Sequence, residues 1–147
     1  MRILGLDVGD KTIGMALSDE TATLASGLDT IRRAGLQRDL RDLAELARDR
    51  EVASVVVGLP RSLNGSEGPQ ARKVLAFVEA LRAAVEVPVV TWDERFTTVA
   101  AENALIEGGV SRARRKGLVD KVAAVLILQG YLDYRKTADG EARDPSA

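Results

Sequence analysis

Acidic side chains are the candidate chemical groups of this chain, because its 147 residues include no histidine and no cysteine. Their absence excludes an imidazole base, a thiolate nucleophile and the usual kinds of zinc site. Hard divalent cations with oxygen ligands remain available. Such cations, two of them about 4 Å apart, assist the hydrolysis of phosphodiester bonds. The candidate ligands are Asp7, Asp93, Glu94 and Asp120.

Asp7 has the most informative surroundings of the four acids. It follows the apolar stretch Ile3–Leu6 and precedes Gly9 in the segment G-L-D-V-G-D-K-T-I-G-M-A-L-S-D, which begins at Gly5. A carboxylate at the end of a buried strand is costly unless a cation or hydrogen-bond donors face it. The alternative is a turn or cap residue, since glycine suits a tight turn as well as close approach to a phosphate.

The other three acids also have ordinary structural explanations. Asp93 and Glu94 follow a predicted strand, where either can pair with Arg95 or cap the next helix. Asp120 lies near the start of the predicted last helix, where the helix dipole favours an acid. If strands one, four and five are parallel neighbours, Asp7 and Asp93 share the sheet edge at which α/β proteins place their sites.

Several cations and one hydroxyl are candidate contacts for phosphate groups. The net charge of −1 gives no global basic field, so a nucleic acid would need a local patch. The basic segment from Arg112 to Lys116 is such a patch, although a solvated loop is the alternative. The candidate nucleic-acid contacts are Lys11, Arg95, Thr97, Arg112, Arg114, Arg115 and Lys116.

The hydrophobic pattern predicts a single α/β domain over residues 1–137, followed by a disordered polar tail over 138–147. Short connections predict an antiparallel meander of three strands, at 2–8, about 13–18 and about 24–31. The β-branched run Val52–Val57 and the segment Pro88–Trp92 predict two further strands, of which the first is typical of a parallel sheet.

Helices are predicted between and after the parallel strands. From Leu36 to about Arg50 the apolar residues recur every three or four positions, and we assign the charged residues of this helix to solvent. Pro69 suits the first turn of a second helix. Two more helices, over about 97–107 and about 116–134, complete the order β-β-β-α-β-α-β-α-α. The absence of a leader or a long apolar run predicts a cytoplasmic protein without a membrane partner.

Four motifs in this order cover nearly the whole chain: the Asp7 segment given above, V-V-V-G-L-P-R-S-L-N-G-S-E-G-P-Q, D-E-R-F-T-T-V-A-A-E and V-D-K-V-A-A-V-L-I-L-Q-G-Y-L-D. On these motifs the chain resembles the YqgF proteins, also called RuvX, which are RNase H-like Holliday junction resolvases and pre-16S rRNA nucleases. The resemblance implies an RNase H-like fold, with a mixed sheet of three antiparallel and two parallel strands flanked by helices. It also implies cleavage that depends on Mg²⁺ or Mn²⁺ and uses Asp7, an acid of the D-E-R motif and Asp120.

Two departures from the family pattern concern the site. Thr12 stands where the family commonly has an arginine, so one phosphate contact is missing. RNase H-like nucleases usually carry their second acid at the end of strand four, which here reads Gly58-Leu59-Pro60. Asp93 begins roughly 10 Å from Asp7, two strands away at about 4.8 Å per strand, which is far for sharing one metal. Glu94 reaches further, but the sequence does not fix its side of the sheet, so both acids stay candidates.

The leading functional hypothesis is a metal-dependent nuclease acting on structured nucleic acid, either a four-way DNA junction or a precursor of ribosomal RNA. Resolving a junction takes two symmetric cuts and predicts a homodimer, whereas trimming RNA needs only a monomer. The displaced second acid motivates an alternative, a non-catalytic RNA-binding factor for ribosome assembly. An ATPase of the actin and sugar-kinase class is disfavoured, because those proteins close two such domains around a nucleotide.

Overall fold

Three strands at the N-terminus form an antiparallel meander, as the short connections predict. The computed structural model describes residues 1–60, 68–94 and 122–136. Its first strands are β1 (Arg2–Val8), β2 (Thr12–Ser18) and β3 (Ala25–Arg32). Strand β2 pairs antiparallel with both β1 and β3.

Two parallel strands extend the sheet on the other side of β1. Strand β4 (Val52–Leu59) pairs with β1, and β5 (Val89–Asp93) pairs with β4. The resulting strand order is β3-β2-β1-β4-β5, which confirms the predicted mixed sheet. Strand β4 runs two residues beyond its predicted end, because Gly58 and Leu59 still pair with β5.

Three helices lie in the described residues: α1 (Leu36–Asp49), α2 (Pro69–Ala84) and α3 (122–136). None of the helices in these parts of the chain is long and apolar enough to cross a membrane. The predicted helix over about 97–107, the first residues of the predicted last helix and the tail over 138–147 lie outside the described residues.

The two faces of the sheet are covered by different helices. On one face, alternate residues of β1 and β4 pack with apolar residues of α1 and α2 in a large cluster. On the other face, a smaller cluster joins the sheet to α3. The smaller cluster consists of Ile3, Ala16, Val56, Ala124, Leu128 and Leu132. The buried residues of β1 and β4 therefore face either α1 and α2 or α3, and this choice decides which side chains can meet.

Helix α3 lies very close to β1, because Gly5 has no side chain. A Cβ atom built on Gly5 would lie 2.7 Å from the Cβ of Leu128 and 3.3 Å from the carbonyl oxygen of Ala124. Both contacts involve atoms that cannot swing away without moving the helix. The glycine therefore sets the distance between α3 and the sheet.

Replacing Gly5 with alanine tests this close approach. We expect Gly5→Ala to lower the free energy of unfolding by about 1 to 3 kcal/mol, since overpacking forces backbone shifts. Urea denaturation followed by circular dichroism measures the change. Gly27→Ala is the matched control, because its Cβ would lie 3.6 Å from Val125 Cγ2, an ordinary contact. Equal stability of the two variants would contradict the account.

Candidate active site

Asp7 lies near the end of β1, on the side of the sheet that faces α3. Leu4, Leu6 and Val8 belong to the cluster under α1 and α2, so strand alternation places Asp7 on the opposite face. Gly5, two residues earlier on the same face, lies directly against α3. The carboxylate of Asp7 therefore lies at the carboxyl end of a strand that pairs in parallel with β4, on the face covered by α3.

Glu94 lies on the same face of the sheet as Asp7. Its backbone N–H donates a hydrogen bond to the carbonyl of Leu59 (3.1 Å), so pairing with β4 continues one residue beyond β5. Val90 and Trp92 pack with the α3 cluster, and Glu94 occupies the next position of that alternation. Asp93 takes the alternate position, which it shares with Val89 on the face of α1 and α2.

Gly58 separates the two acids across the sheet. Leu6 of β1 pairs with Val57 of β4, and Gly58 pairs with Trp92 of β5. A Cβ atom on Gly58 would collide with Oε2 of Glu94 and with the side chain of Ile127 in α3. The carboxylate of Glu94 therefore occupies the space above β4 that any larger residue at position 58 would fill. The side chain of Glu94, one residue beyond β5, thus extends over β4 toward Asp7.

The environment of Glu94 disfavours its negative charge. Its Oε2 atom is buried and has no hydrogen-bond partner among the described residues. Burial, and then the negative charges of Asp7 and Asp93, raise the pKa of Glu94 from 4.5 to about 7. The repulsion from Asp7 means that the two carboxylates act on each other electrostatically. A cation between them would relieve both the burial cost and the repulsion.

The donor set fits a hard divalent cation. Asp7 and Glu94 offer carboxylate oxygens, the ligand type that Mg²⁺ and Mn²⁺ prefer. Within residues 1–60, 68–94 and 122–136, no group of three or more histidine, cysteine or acidic side chains forms a metal site. Asp120, the third predicted ligand, lies outside these residues. The described part of the chain thus brings together two of the predicted ligands.

The predicted phosphate contacts fall into two groups. Lys11 is exposed in the turn between β1 and β2, where the Gly9 N–H donates to the Thr12 carbonyl (2.8 Å). The Lys11 carbonyl accepts a hydrogen bond from the backbone N–H of Arg33 (2.9 Å). The other predicted contacts lie outside the described residues: Arg95, Thr97, Arg112, Arg114, Arg115 and Lys116.

Sequence reasoning missed two features near this edge of the sheet. It treated Gly58 as the end of a strand and the start of a loop, although an extra acid one strand away was a signal that this position must stay small. It also assigned the charged residues of α1 to solvent, whereas Asp39 is fully buried. The spacing of Asp39 from Leu36, Leu40 and Leu43 puts it on the inward face, and this spacing was the available signal.

Comparison with known proteins relates this geometry to a family. A family model described as "RuvX: Holliday junction resolvase" matches residues 1–134. The chain belongs to the RuvX family. Two of its relatives named "Putative pre-16S rRNA nuclease" are each 53% identical to this RuvX-family chain. The relative from Thermoanaerobacter pseudethanolicus aligns over 92% of this chain and 99% of its own length. The relative from Symbiobacterium thermophilum aligns over 97% and 99%.

A solved structure supports the RNase H-like fold of this RuvX-family protein. RuvC of Thermus thermophilus, in complex with a Holliday junction substrate, superposes with a TM-score of 0.58. The match covers 92% of this chain and 96% of RuvC at 18% sequence identity, so it concerns the fold. The predicted fold class is confirmed.

The raised pKa of Glu94 predicts a pH-dependent stability. The folded state holds the Glu94 proton more tightly than the unfolded state, whose pKa is near 4.5. The contribution of protonated Glu94 to the free energy of unfolding is therefore largest below pH 4.5 and is lost as the pH rises toward 7. Between pH 5 and 8, without divalent cations, we expect the free energy of unfolding of the wild type to fall by on the order of 2 kcal/mol relative to that of Glu94→Gln.

Urea denaturation at a series of pH values measures this difference. Asp93→Asn is the comparison variant, because it removes an acid one residue away and leaves Glu94 in place. This variant should keep most of the wild-type pH dependence. Parallel stability curves for wild type and Glu94→Gln would show that Glu94 has no raised pKa.

Proposed function

We propose that this RuvX-family protein is a divalent-metal-dependent nuclease that hydrolyses phosphodiester bonds of structured nucleic acid. One observation carries the proposal. The carboxylate of Glu94 crosses above Gly58 on the face of the sheet that also carries Asp7, and its Oε2 atom is buried without a hydrogen-bond partner among the described residues. A cation at this edge would offset the cost of burying the Glu94 carboxylate and its repulsion from Asp7.

Asp7 and Glu94 would hold the cation, together with Asp120. Mg²⁺ or Mn²⁺ bound there supplies a Lewis acid for the phosphodiester and lowers the pKa of water toward neutrality. Asp93 is the weaker candidate, since strand alternation puts it on the other face of the sheet. This assignment chooses between the two acids that the sequence left open.

The chain's own residues would prepare the site in two further ways. Ile127 packs above Gly58 beside Glu94, and this apolar contact limits the access of water to the buried carboxylate. The low local dielectric strengthens the attraction of both acids for a cation. Lys11 is exposed at the same edge of the sheet, and its ammonium group would contact a backbone phosphate of the substrate.

The precursor of 16S rRNA is the substrate that the relatives favour. Proteins named for that activity align over nearly their full length at 53% identity. The family description names the Holliday junction instead. Both substrates offer the same phosphodiester chemistry, so the site itself does not distinguish them. A cytoplasmic location and a monomeric or homodimeric state are part of this proposal.

Cleavage assays on single variants test the site directly. We expect Asp7→Asn and Glu94→Gln each to lower the cleavage rate at least about 100-fold in Mg²⁺ or Mn²⁺, since each removes a ligand charge. Asp93→Asn should retain most of the wild-type rate. The substrates are an RNA fragment with the 5′ extension of 16S rRNA and a four-way DNA junction, assayed side by side in the same buffer.

The assay separates the alternatives. Metal-dependent cleavage of the RNA fragment alone would support the precursor of 16S rRNA as the substrate. Cleavage of the four-way junction alone would show that the substrate is DNA. A wild-type protein that binds the RNA tightly and cuts neither substrate would overturn the nuclease proposal in favour of a non-catalytic RNA-binding factor. Full activity of Glu94→Gln with loss in Asp93→Asn would overturn the choice of Glu94.

A further inference from the structure

Arg33, in the connection between β3 and α1, links three parts of the fold. Its Nη1 donates a hydrogen bond to the carbonyl oxygen of Gly9 (3.1 Å), in the turn between β1 and β2. Its Nε donates to Oδ2 of Asp39 in α1 (3.0 Å). Its Cζ lies 5.3 Å from the ring centroid of Phe77 in α2, over the aromatic face. The guanidinium is therefore held by two helices while it holds the turn.

Asp39 makes this arrangement rigid. Its side chain is only 1% exposed, against 23% for Arg33. Its Oδ1 accepts a second hydrogen bond, from the backbone N–H of Ala34 (3.0 Å). A buried carboxylate with a charged partner is held strongly, because separating the pair would leave an uncompensated charge in the interior. Arg33 consequently has little freedom to move away from Gly9.

The turn that Arg33 holds follows Asp7 closely and contains Lys11, and both are residues of the proposed site. Asp7 is two residues before Gly9, and Lys11 is two residues after it. The backbone N–H of Arg33 also donates to the Lys11 carbonyl, so the turn receives two hydrogen bonds from this one residue. Arg33 thus holds the backbone of the proposed phosphate contact and of Gly9, which follows the proposed cation ligand by two residues.

We propose that Arg33 is a positioning residue for cleavage, which fixes the turn from Gly9 to Thr12 and with it the relative placement of Asp7 and Lys11. This inference rests on the proposed nuclease function. Arg33 would contact neither substrate nor cation. It acts through the turn, and buried Asp39 supplies the fixed point.

The chain offers a matched control for a purely stabilising arginine. Arg82 of α2 also holds a backbone carbonyl, since its Nε and Nη2 donate to the oxygen of Val89 (3.1 and 2.9 Å). It also pairs with an acid, Glu79. Val89 is the first residue of β5, at the opposite end of that strand from Glu94. Arg82→Met therefore removes a similar set of interactions far from the turn.

The experiment combines kinetics with hydrogen exchange on the full chain. At temperatures where all variants are folded, Arg33→Met should lower kcat/KM for the cleaved substrate at least tenfold, and Arg82→Met should change it less than twofold. Lys11→Ala should raise KM in the wild-type and Arg82→Met backgrounds, but add little in the Arg33→Met background. The Gly9 amide should exchange at least tenfold faster in Arg33→Met than in Arg82→Met.

Each outcome decides the inference. If the effects of Arg33→Met and Lys11→Ala on kcat/KM multiply, Arg33 only stabilises the fold. Unchanged hydrogen exchange of the Gly9 amide in Arg33→Met would show the same. If Arg33→Met does not fold, Arg33→Lys takes its place. A lysine keeps a positive charge beside Asp39 but cannot bind Asp39 and the Gly9 carbonyl at the same time. The same changes in kcat/KM and in Gly9 exchange are expected. If wild type cleaves nothing, the proposed function fails, and exchange at Gly9 alone decides whether Arg33 holds the turn.

Discussion

Two glycines on neighbouring strands control the arrangement from which the site is built. Gly5 lets α3 lie against β1, and Gly58 leaves the space above β4 free of a side chain. Ile127 of α3 and the carboxylate of Glu94 both occupy that space, where a Cβ atom on Gly58 would otherwise lie. Packing in protein interiors is dense enough that a single added carbon here must move a neighbour. The position of a charged group is thus set by the absence of two side chains.

This placement has an electrostatic cost that connects the fold to its chemistry. A buried carboxylate beside Asp7 holds its proton up to a pH of about 7, as the raised pKa of Glu94 shows. Binding of a cation by Glu94 would require its ionised form, so it would be coupled to release of the proton. A modest change in pH near neutrality therefore changes the charge of Glu94. A solvated pair of acids on the surface would lack this property.

The topology was predictable from the sequence, whereas the face of the sheet on which Glu94 lies was not. Short connections specified the meander, and the run Val52–Val57 specified a buried parallel strand. Strand β5 reads V-V-T-W-D. Its apolar residues fall on both faces of the strand, so the sequence pattern did not reveal which face packs against α3. That choice depends on packing of Trp92 against Gly130 and Tyr131, contacts that join segments about 40 residues apart. The burial of Asp39 likewise depended on its pairing with Arg33 from the preceding connection.

A crystal structure of the protein with bound Mn²⁺ tests the central claim most directly, since anomalous scattering locates the ion without reference to any assumed ligand. We expect one ion site with carboxylate oxygens of both Asp7 and Glu94 within about 2.0 to 2.3 Å, the range of a hard cation of this size. An ion bound by Asp93 with Glu94 directed elsewhere would contradict it, as would an ion that leaves Asp7 without contact.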